Sequence, residues 1–167
     1  LTVNNGYIGS WDNGLYIGDN ASVVIHGGEF DRYEKTSSSS KSQNCAVMMK
    51  STGDLTIYGG SFYGAKQGLF LQSAGQVTIW NGSFKSRNPR EAQQGAMVIS
   101  DMENMNITVY NGTFSGTTGI RSNVKFPLKD ILPNKNSNGM RATGNGVVID
   151  LNTEAFIFGE NRLTIEK

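Results

Sequence analysis

The residues best equipped for catalysis are six acids and a single histidine. The acids lie in short polar stretches between apolar segments: Asp19, Asp54, Asp101, Glu103, Asp150 and Glu154. Cleavage of a polysaccharide requires carboxylates paired across neighbouring positions, or aspartates that bind calcium beside a basic residue. These acids are dispersed, and spacing gives His26 no Ser, Cys or Asp partner. The pattern therefore favours a protein without catalytic residues, a metal site or a cofactor.

A row of aromatic residues offers a different chemistry. The same position of a repeated eight-residue motif holds Asn4, His26, Tyr58, Trp80, Tyr110 and Phe158. An exposed aromatic row presents flat apolar surface and polar ring groups to sugars. We therefore predict that His26, Tyr58, Trp80, Tyr110 and Phe158 bind a glycan. The alternatives are a ladder that only stabilises the fold, or a row buried under a long loop.

The motif that carries this row is written most clearly at residues 77–84 as Val-Thr-Ile-Trp-Asn-Gly-Ser-Phe. Copies begin at Leu1, Val23, Leu55 and Ile107, and a degraded copy spans 155–160. Its first and third positions are apolar and its second is Thr in four of six copies, which predicts a short strand with one buried face. Gly or Asn, followed by Gly, then predicts a sharp corner, and an apolar residue returns to the core.

A second apolar strand precedes each later copy of the motif. These strands are 14–17, 46–49, 68–71, 96–99 and 146–149, and their outward row of Tyr16, Met48, Phe70, Val98 and Val148 is apolar enough to require a cover. The shortest full period is 22 residues, from Phe62 to Phe84. Such a unit is too short for a helical crossover, so each strand must pair with its equivalent in the next coil. We predict an all-β, single-stranded parallel β-helix of about six coils.

The repeat resembles right-handed β-helices of the pectate-lyase-like superfamily, most closely the Leu-Thr-Ile-Tyr-Gly-Gly-Ser-Phe repeats (55–62 here) of large bacterial surface proteins. The resemblance implies a right-handed solenoid and an extracellular location, on a bacterial cell surface or secreted. It leaves function open, because this solenoid carries lyases, hydrolases and adhesins alike.

Three insertions interrupt the repeat at 31–44, 85–95 and 115–145, all between the inward Phe and the next strand. We therefore expect them to project from one corner, where repeat proteins often bind partners. They hold eleven basic and four acidic residues, a balance of +7, although the whole chain carries +1. This predicts a basic corner for an anionic polymer, with Arg87, Arg90, Arg121, Lys125 and Lys129 as candidates. The alternative is that these charges only solvate loops.

Composition limits the remaining function classes. A net charge of +1 gives no field that would attract nucleic acid, and no run of 18 apolar residues exists that would insert into a membrane. The single cysteine, Cys45, excludes an internal disulfide and is expected to be a partly buried structural residue. The chain starts without Met and inside a strand, which favours one domain, 1–167, cut from a larger protein.

The sequence as a whole favours a non-catalytic, extracellular module of a bacterial surface protein that serves in adhesion or carbohydrate binding. A polysaccharide lyase or glycoside hydrolase of the same superfamily is one alternative, and a purely structural stalk or spacer is another. The expected partners are a glycan, the rest of the parent protein and a second copy joined end to end, since bare ends of a parallel stack invite pairing. Residues 163–165 predict a last strand that begins a further coil or covers the end.

Overall fold

The computed structural model describes residues 1–32, 44–87, 95–100, 105–116, 118–123, 126–133, 140–144, 147–148, 150–152 and 161–166. Up to Ser122 the chain cycles through three sheets of parallel strands, so that each strand from the fourth onward pairs with the strand three places earlier. This arrangement is a parallel β-helix of about five to six coils and confirms the predicted fold class. Within these ranges, no helix has the length and apolar character needed to span a bilayer.

Sheet 1 is built from the first positions of the repeated motif. Its strands are β1 (Thr2–Val3), β4 (Val23–Ile25), β7 (Leu55–Ile57), β10 (Gln76–Ile79) and β13 (Asn106–Val109). Equivalent residues pair directly, as in Val77 with Leu55 and with Ile107. The aliphatic residues at the first and third motif positions of β4, β7, β10 and β13 are buried, which confirms that one face of each strand points into the core.

Sheet 2 follows the corner and carries the inward Phe of each repeat. Its parallel strands are β2 (Tyr7–Ser10), β5 (Glu29–Arg32), β8 (Ser61–Gly64), β11 (Ser83–Ser86) and β14 (Gly112–Gly116). Phe30, Phe62, Phe84 and Phe114 are fully buried and stack with ring centroids 5.0, 4.7 and 5.0 Å apart. The stack fills the centre of the solenoid and ties four successive coils together.

Sheet 3 completes each coil. Its strands are β3 (Leu15–Asp19), β6 (Cys45–Ser51), β9 (Gln67–Ser73), β12 (Met97–Ile99) and β15 (Ile120–Ser122). The predicted outward row is confirmed for four of its members, since Tyr16, Met48, Phe70 and Val98 stand in register.

Two members of the sheet 3 row differ from the rest. The row is covered as expected at Met48, Phe70 and Val98, which are buried with Cys45 in a small second cluster, whereas Tyr16 is exposed. The placement of Val148 in this row is wrong, because Arg121 takes the position after Val98.

The corner between sheets 1 and 2 depends on the second residue of the Gly/Asn pair. Gly6, Gly28 and Gly60 have φ of 124°, 112° and 123°, a region that side chains with a Cβ rarely enter. The first residue supports the turn differently: where it is Asn, its side-chain oxygen accepts a hydrogen bond from the following Gly N–H, at 2.9 Å for Asn5 and 2.8 Å for Asn81. The predicted corner is therefore confirmed, with the unusual backbone at the second position.

The third predicted insertion, 115–145, is wrong as a single loop at the common corner. Sheet 2 continues to Gly116, and β15 (Ile120–Ser122) forms the next strand of sheet 3 after only three residues. The coil therefore continues, because Ile120 supplies the buried apolar residue that sheet 3 needs. The first two insertions do connect sheet 2 to sheet 3, but residues 33–43 and 88–94 lie outside the described residues.

The end of the solenoid is closed by elements that do not follow the repeat. A 3-10 helix, η1 (Leu128–Ile131), buries Leu128 and Ile131 in the main core. The strand β18 (Asn161–Glu166) pairs antiparallel with β14, and β16 (Arg141–Gly144) and β17 (Val147–Val148) extend sheet 2 beyond it. The predicted strand at 163–165 therefore covers an edge instead of beginning a coil.

Candidate binding face on sheet 1

The outer face of sheet 1 carries two parallel columns of side chains. We call the first the threonine column; its members, one per coil, are Thr2, Val24, Thr56, Thr78 and Thr108. The second, which we call the aromatic column, stands two positions further along each strand and consists of His26, Tyr58, Trp80 and Tyr110. Neighbouring side chains within each column are one strand spacing apart, about 4.8 Å.

The aromatic column is partly exposed, as predicted for an outward row. Tyr58 is 47% exposed and Trp80 is 41% exposed, His26 is exposed and Tyr110 is half-buried. Asn4 is also exposed at the first coil. Phe158, the last predicted member, lies outside the described residues. Four of the five predicted aromatic-row residues are thus brought together on one face.

The rings of the aromatic column stack on one another along the solenoid. Centroid distances are 4.9 Å for His26 and Tyr58, 6.2 Å for Tyr58 and Trp80, and 4.0 Å for Trp80 and Tyr110. The ring planes of each pair are within 6° of parallel. Such stacking stabilises a pair by about 0.5–1.5 kcal/mol beyond burial alone.

This geometry differs from the predicted platform of open ring faces. Because each ring faces its neighbours, it turns mainly its edge, with imidazole, phenol or indole polar groups, toward solvent. The exception is the step between Tyr58 and Trp80, whose 6.2 Å separation exceeds the strand spacing, so these rings are offset and leave part of each face uncovered. Both of these rings are also exposed to solvent.

The two columns offer hydrogen-bonding groups without charge. They contain no Asp, Glu, Lys or Arg, and His26 is their only titratable member besides the two tyrosines. Within the described part of the chain, the hydroxyls of Thr56, Thr78, Thr108 and Tyr58 have no hydrogen-bond partner. This face is therefore suited to an uncharged ligand that carries many hydroxyl groups.

The predicted basic residues are placed on different elements. Arg87 follows β11, Arg121 lies in β15 on sheet 3, and Lys129 lies in η1, where its Nζ donates a hydrogen bond to Asn152 Oδ1 at 2.9 Å. Arg90 and Lys125 lie outside the described residues. The helix η1, which carries Lys129, contacts β13 of sheet 1, whereas Arg87 follows a strand of sheet 2 and Arg121 lies on sheet 3. The common basic corner stays a prediction.

Arg87 takes part in an ion pair that the sequence alone does not reveal. Its Nη2 donates a hydrogen bond to Asp31 Oδ2 at 3.0 Å, and its Nη1 lies 2.7 Å from Oδ1 in a purely electrostatic contact. The Cζ atom of the Arg87 guanidinium lies over the ring of Tyr63, 5.3 Å from the ring centroid. Asp31 and Tyr63 are paired neighbours on sheet 2, so this clamp joins three coils. The sequence does indicate that Asp31 and Tyr63 face outward, because each follows an inward Phe. It does not indicate that Arg87 reaches them.

The acids of the chain do not assemble into a reactive cluster in the described residues. Asp19 and Asp54 are exposed, and Asp54 Oδ1 accepts a hydrogen bond from the Gln76 N–H at 2.8 Å. The backbone N–H of Asn152, and then its side chain, hold the pKa of Asp150 below its usual value. Asp101, Glu103 and Glu154 lie outside the described residues.

The groups that bind metals or act as nucleophiles are equally dispersed. No group of three His, Cys, Asp or Glu able to hold a metal occurs where the chain is described. Cys45 is fully buried, more than predicted, and its Sγ donates to Gln67 Oε1 at 3.0 Å. It is therefore a structural residue at the start of β6.

Comparisons of the chain with protein-family models, with curated proteins and with solved structures gave no match. The geometry of the site is therefore the basis for assigning a function.

Proposed function

We propose that this chain is a non-catalytic, extracellular solenoid module that binds a neutral polysaccharide on the outer face of sheet 1. One observation carries the proposal: four aromatic side chains stand in one partly exposed column beside a threonine column, and neither column contains an acid or a strong base. The extracellular, bacterial setting follows from the resemblance of the repeat to surface-protein β-helices.

The chemistry of the face matches that of a sugar chain. Threonine hydroxyls and phenols both donate hydrogen bonds to the hydroxyls of sugars and accept them, and the indole N–H donates. The uncovered parts of the Tyr58 and Trp80 faces suit the apolar face of a pyranose. Because the columns repeat at every strand, an extended polymer meets the same groups several times. The stacked rings hold their positions before binding, which lowers the entropic cost of ordering them.

Calorimetric titration with neutral oligosaccharides tests this proposal. We expect Trp80→Ala to weaken binding by more than about fivefold, because it removes a ring that contacts the ligand. Tyr16→Ala is the matched control, since Tyr16 is 55% exposed but lies on sheet 3. Binding should change little with salt, because neither column contains Asp, Glu, Lys or Arg. Equal affinity of the Trp80 variant and the wild type would remove the aromatic column from the site.

A structural spacer is a second candidate, and the ring geometry itself favours it. The ring faces are largely occupied by neighbouring rings, which is what a ladder that only stabilises the fold requires. The two functions differ in one measurable respect: a spacer loses stability but no affinity when Trp80 is replaced, since it has no ligand.

A further inference from the structure

The corners between sheets 1 and 2 contain a reactive dipeptide that the binding face does not use. Two of these corners are Asn5-Gly6 and Asn81-Gly82, whereas two others are Gly-Gly. In an Asn-Gly pair the backbone nitrogen of Gly can attack the side-chain amide of Asn, and Gly has no side chain that obstructs this approach. The rate of the attack depends on how the structure holds the two groups.

The corner at Asn81 holds the two reacting groups together in an exposed position. The Gly82 N–H donates a hydrogen bond to Asn81 Oδ1 at 2.8 Å, so its nitrogen lies beside the carbonyl carbon of the same amide. Asn81 is exposed, and in the described ranges this N–H donates to no carbonyl of a neighbouring coil. Water and hydroxide therefore reach both groups. Asn5 and Gly6 repeat the arrangement at 2.9 Å, and both are exposed.

Other Asn-Gly pairs of the chain are protected. The Gly14 N–H donates to Cys45 O at 3.1 Å, and the Asn13 side chain is held elsewhere, because its Oδ1 accepts a hydrogen bond from the Cys45 N–H at 3.1 Å. Attack at Asn13 requires both hydrogen bonds to break, at about 1 kcal/mol each, which slows it by roughly 30-fold. In the pair Asn111-Gly112, Gly112 is buried in β14. The pair at 145–146 lies outside the described residues.

We propose that Asn81 is a site of spontaneous deamidation, with Asn5 as a second site of the same kind. Hydroxide removes the proton of the Gly82 N–H, and the nitrogen attacks Cγ of Asn81. The N–Cγ bond forms, the Cγ–Nδ2 bond breaks, and Nδ2 takes up a proton and leaves as ammonia. Water then opens the cyclic imide. Opening at Cγ gives aspartate, and opening at the main-chain carbonyl gives isoaspartate, so the net reaction consumes one water and releases one ammonia.

Isoaspartate at this position would alter the corner and the face beside it. The main chain then runs through Cβ and Cγ and is one carbon longer, between two residues that are fixed to the neighbouring coil. The Trp80 N–H donates to Ile57 O at 2.7 Å, and the Ser83 N–H donates to Gly60 O at 2.9 Å. We therefore expect a loss of stability. Both products also add a negative charge next to Trp80, and only the resulting loss of glycan affinity rests on the proposed function.

Peptide mass spectrometry of the whole chain, incubated at mildly alkaline pH, tests the site without any ligand. Asn81 and Asn5 should gain the mass of an amide converted to an acid more than about tenfold faster than Asn13. In concentrated urea the three rates should become similar, because only the fold distinguishes these pairs. Equal rates at Asn81 and Asn13 in the folded protein, or no conversion at Asn81, would overturn the proposal, whether or not the protein binds a glycan.

The repeat itself supplies a variant that cannot react. Gly27 and Gly59 occupy the position of Asn81 in other coils, so Asn5→Gly/Asn81→Gly should keep the corner geometry. After incubation the wild type should unfold at a lower urea concentration than before, and the double variant should keep its midpoint. A wild-type midpoint that stays constant while Asn81 converts to isoaspartate would overturn the proposed effect on the corner.

Discussion

The clamp of Asp31 and Arg87 predicts that its two partners are unequal in their contribution to stability. The Asp31 side chain is only 9% exposed, whereas the Arg87 side chain is 36% exposed. Replacing Arg87 leaves a carboxylate in a buried position without its counter-charge. Replacing Asp31 leaves a cation that can turn toward water. The free energy of unfolding should therefore fall more for Arg87→Met than for Asp31→Asn.

The magnitudes follow from the burial of each group. Breaking a fully buried ion pair costs about 3–5 kcal/mol, and the partial exposure of Arg87 reduces this to roughly 2 kcal/mol for Arg87→Met. Loss of the contact with Tyr63 contributes about 0.5 kcal/mol of that figure. Asp31→Asn keeps a hydrogen-bond acceptor of the same shape, so we expect a cost of about 1 kcal/mol or less.

Urea denaturation followed by far-UV circular dichroism measures these differences as shifts of the midpoint. The double variant Asp31→Asn/Arg87→Met is decisive, because it removes the uncompensated charge and should be more stable than Arg87→Met alone. If instead Arg87→Met and Asp31→Asn lower the free energy of unfolding equally, or if their effects simply add in the double variant, the clamp is not the reason for the stability of this region.

Three further predictions concern the corner, the core and acidic pH. Gly60→Ala should destabilise the fold by about 1–2 kcal/mol, because φ is +123° and the new Cβ would lie 2.9 Å from Gly28 O. Gly59→Ala is the control: its new Cβ would lie 3.5 Å from the nearest atom, so its free energy of unfolding should change by less than about 0.5 kcal/mol in the same urea assay. Phe84→Ala should lower the free energy of unfolding by about 3–5 kcal/mol, because it opens a cavity in the Phe stack. Lys85→Ala, on the exposed face, should lower it by less than about 0.5 kcal/mol. Similar urea midpoints for the two variants would contradict a continuous core. The lowered pKa of Asp150 means that its stabilising contribution is present above the unfolded-state pKa and is lost as pH falls through the folded-state pKa. Asp150→Asn should lack this acid-side loss, and unfolding curves that stay parallel across that pH range would refute the assignment.

The sequence predicted the parts of the fold that depend on side-chain periodicity. Val77, Ile79 and Phe84 recur at fixed spacing, and alternation along a strand determines which of them face the core. The same rule placed His26, Tyr58, Trp80 and Tyr110 in one outward column. Their orientation was not predictable, because ring stacking depends on rotamers and on the offset between coils.

The departures from the repeat could not be predicted from the sequence, for a different physical reason. Ile120 continues sheet 3 as the single apolar residue of the triplet Ile-Arg-Ser, which has no motif around it, so it was assigned to a loop. Thr164 joins the outer face of sheet 2 through antiparallel pairing, which leaves no mark in a parallel repeat. The Asp31–Arg87 pair spans 56 residues and two coils, a contact that only the stacked structure brings together.

Co-elution of the protein with a long neutral polysaccharide, measured by size-exclusion chromatography with light scattering, tests the proposed function most directly. The expected result is wild-type protein eluting with polymer of unchanged mass, and a smaller fraction of the Trp80→Ala protein eluting with it. Protein that elutes alone at all polymer concentrations would contradict glycan binding and favour the spacer. Polymer of reduced mass would contradict a non-catalytic module.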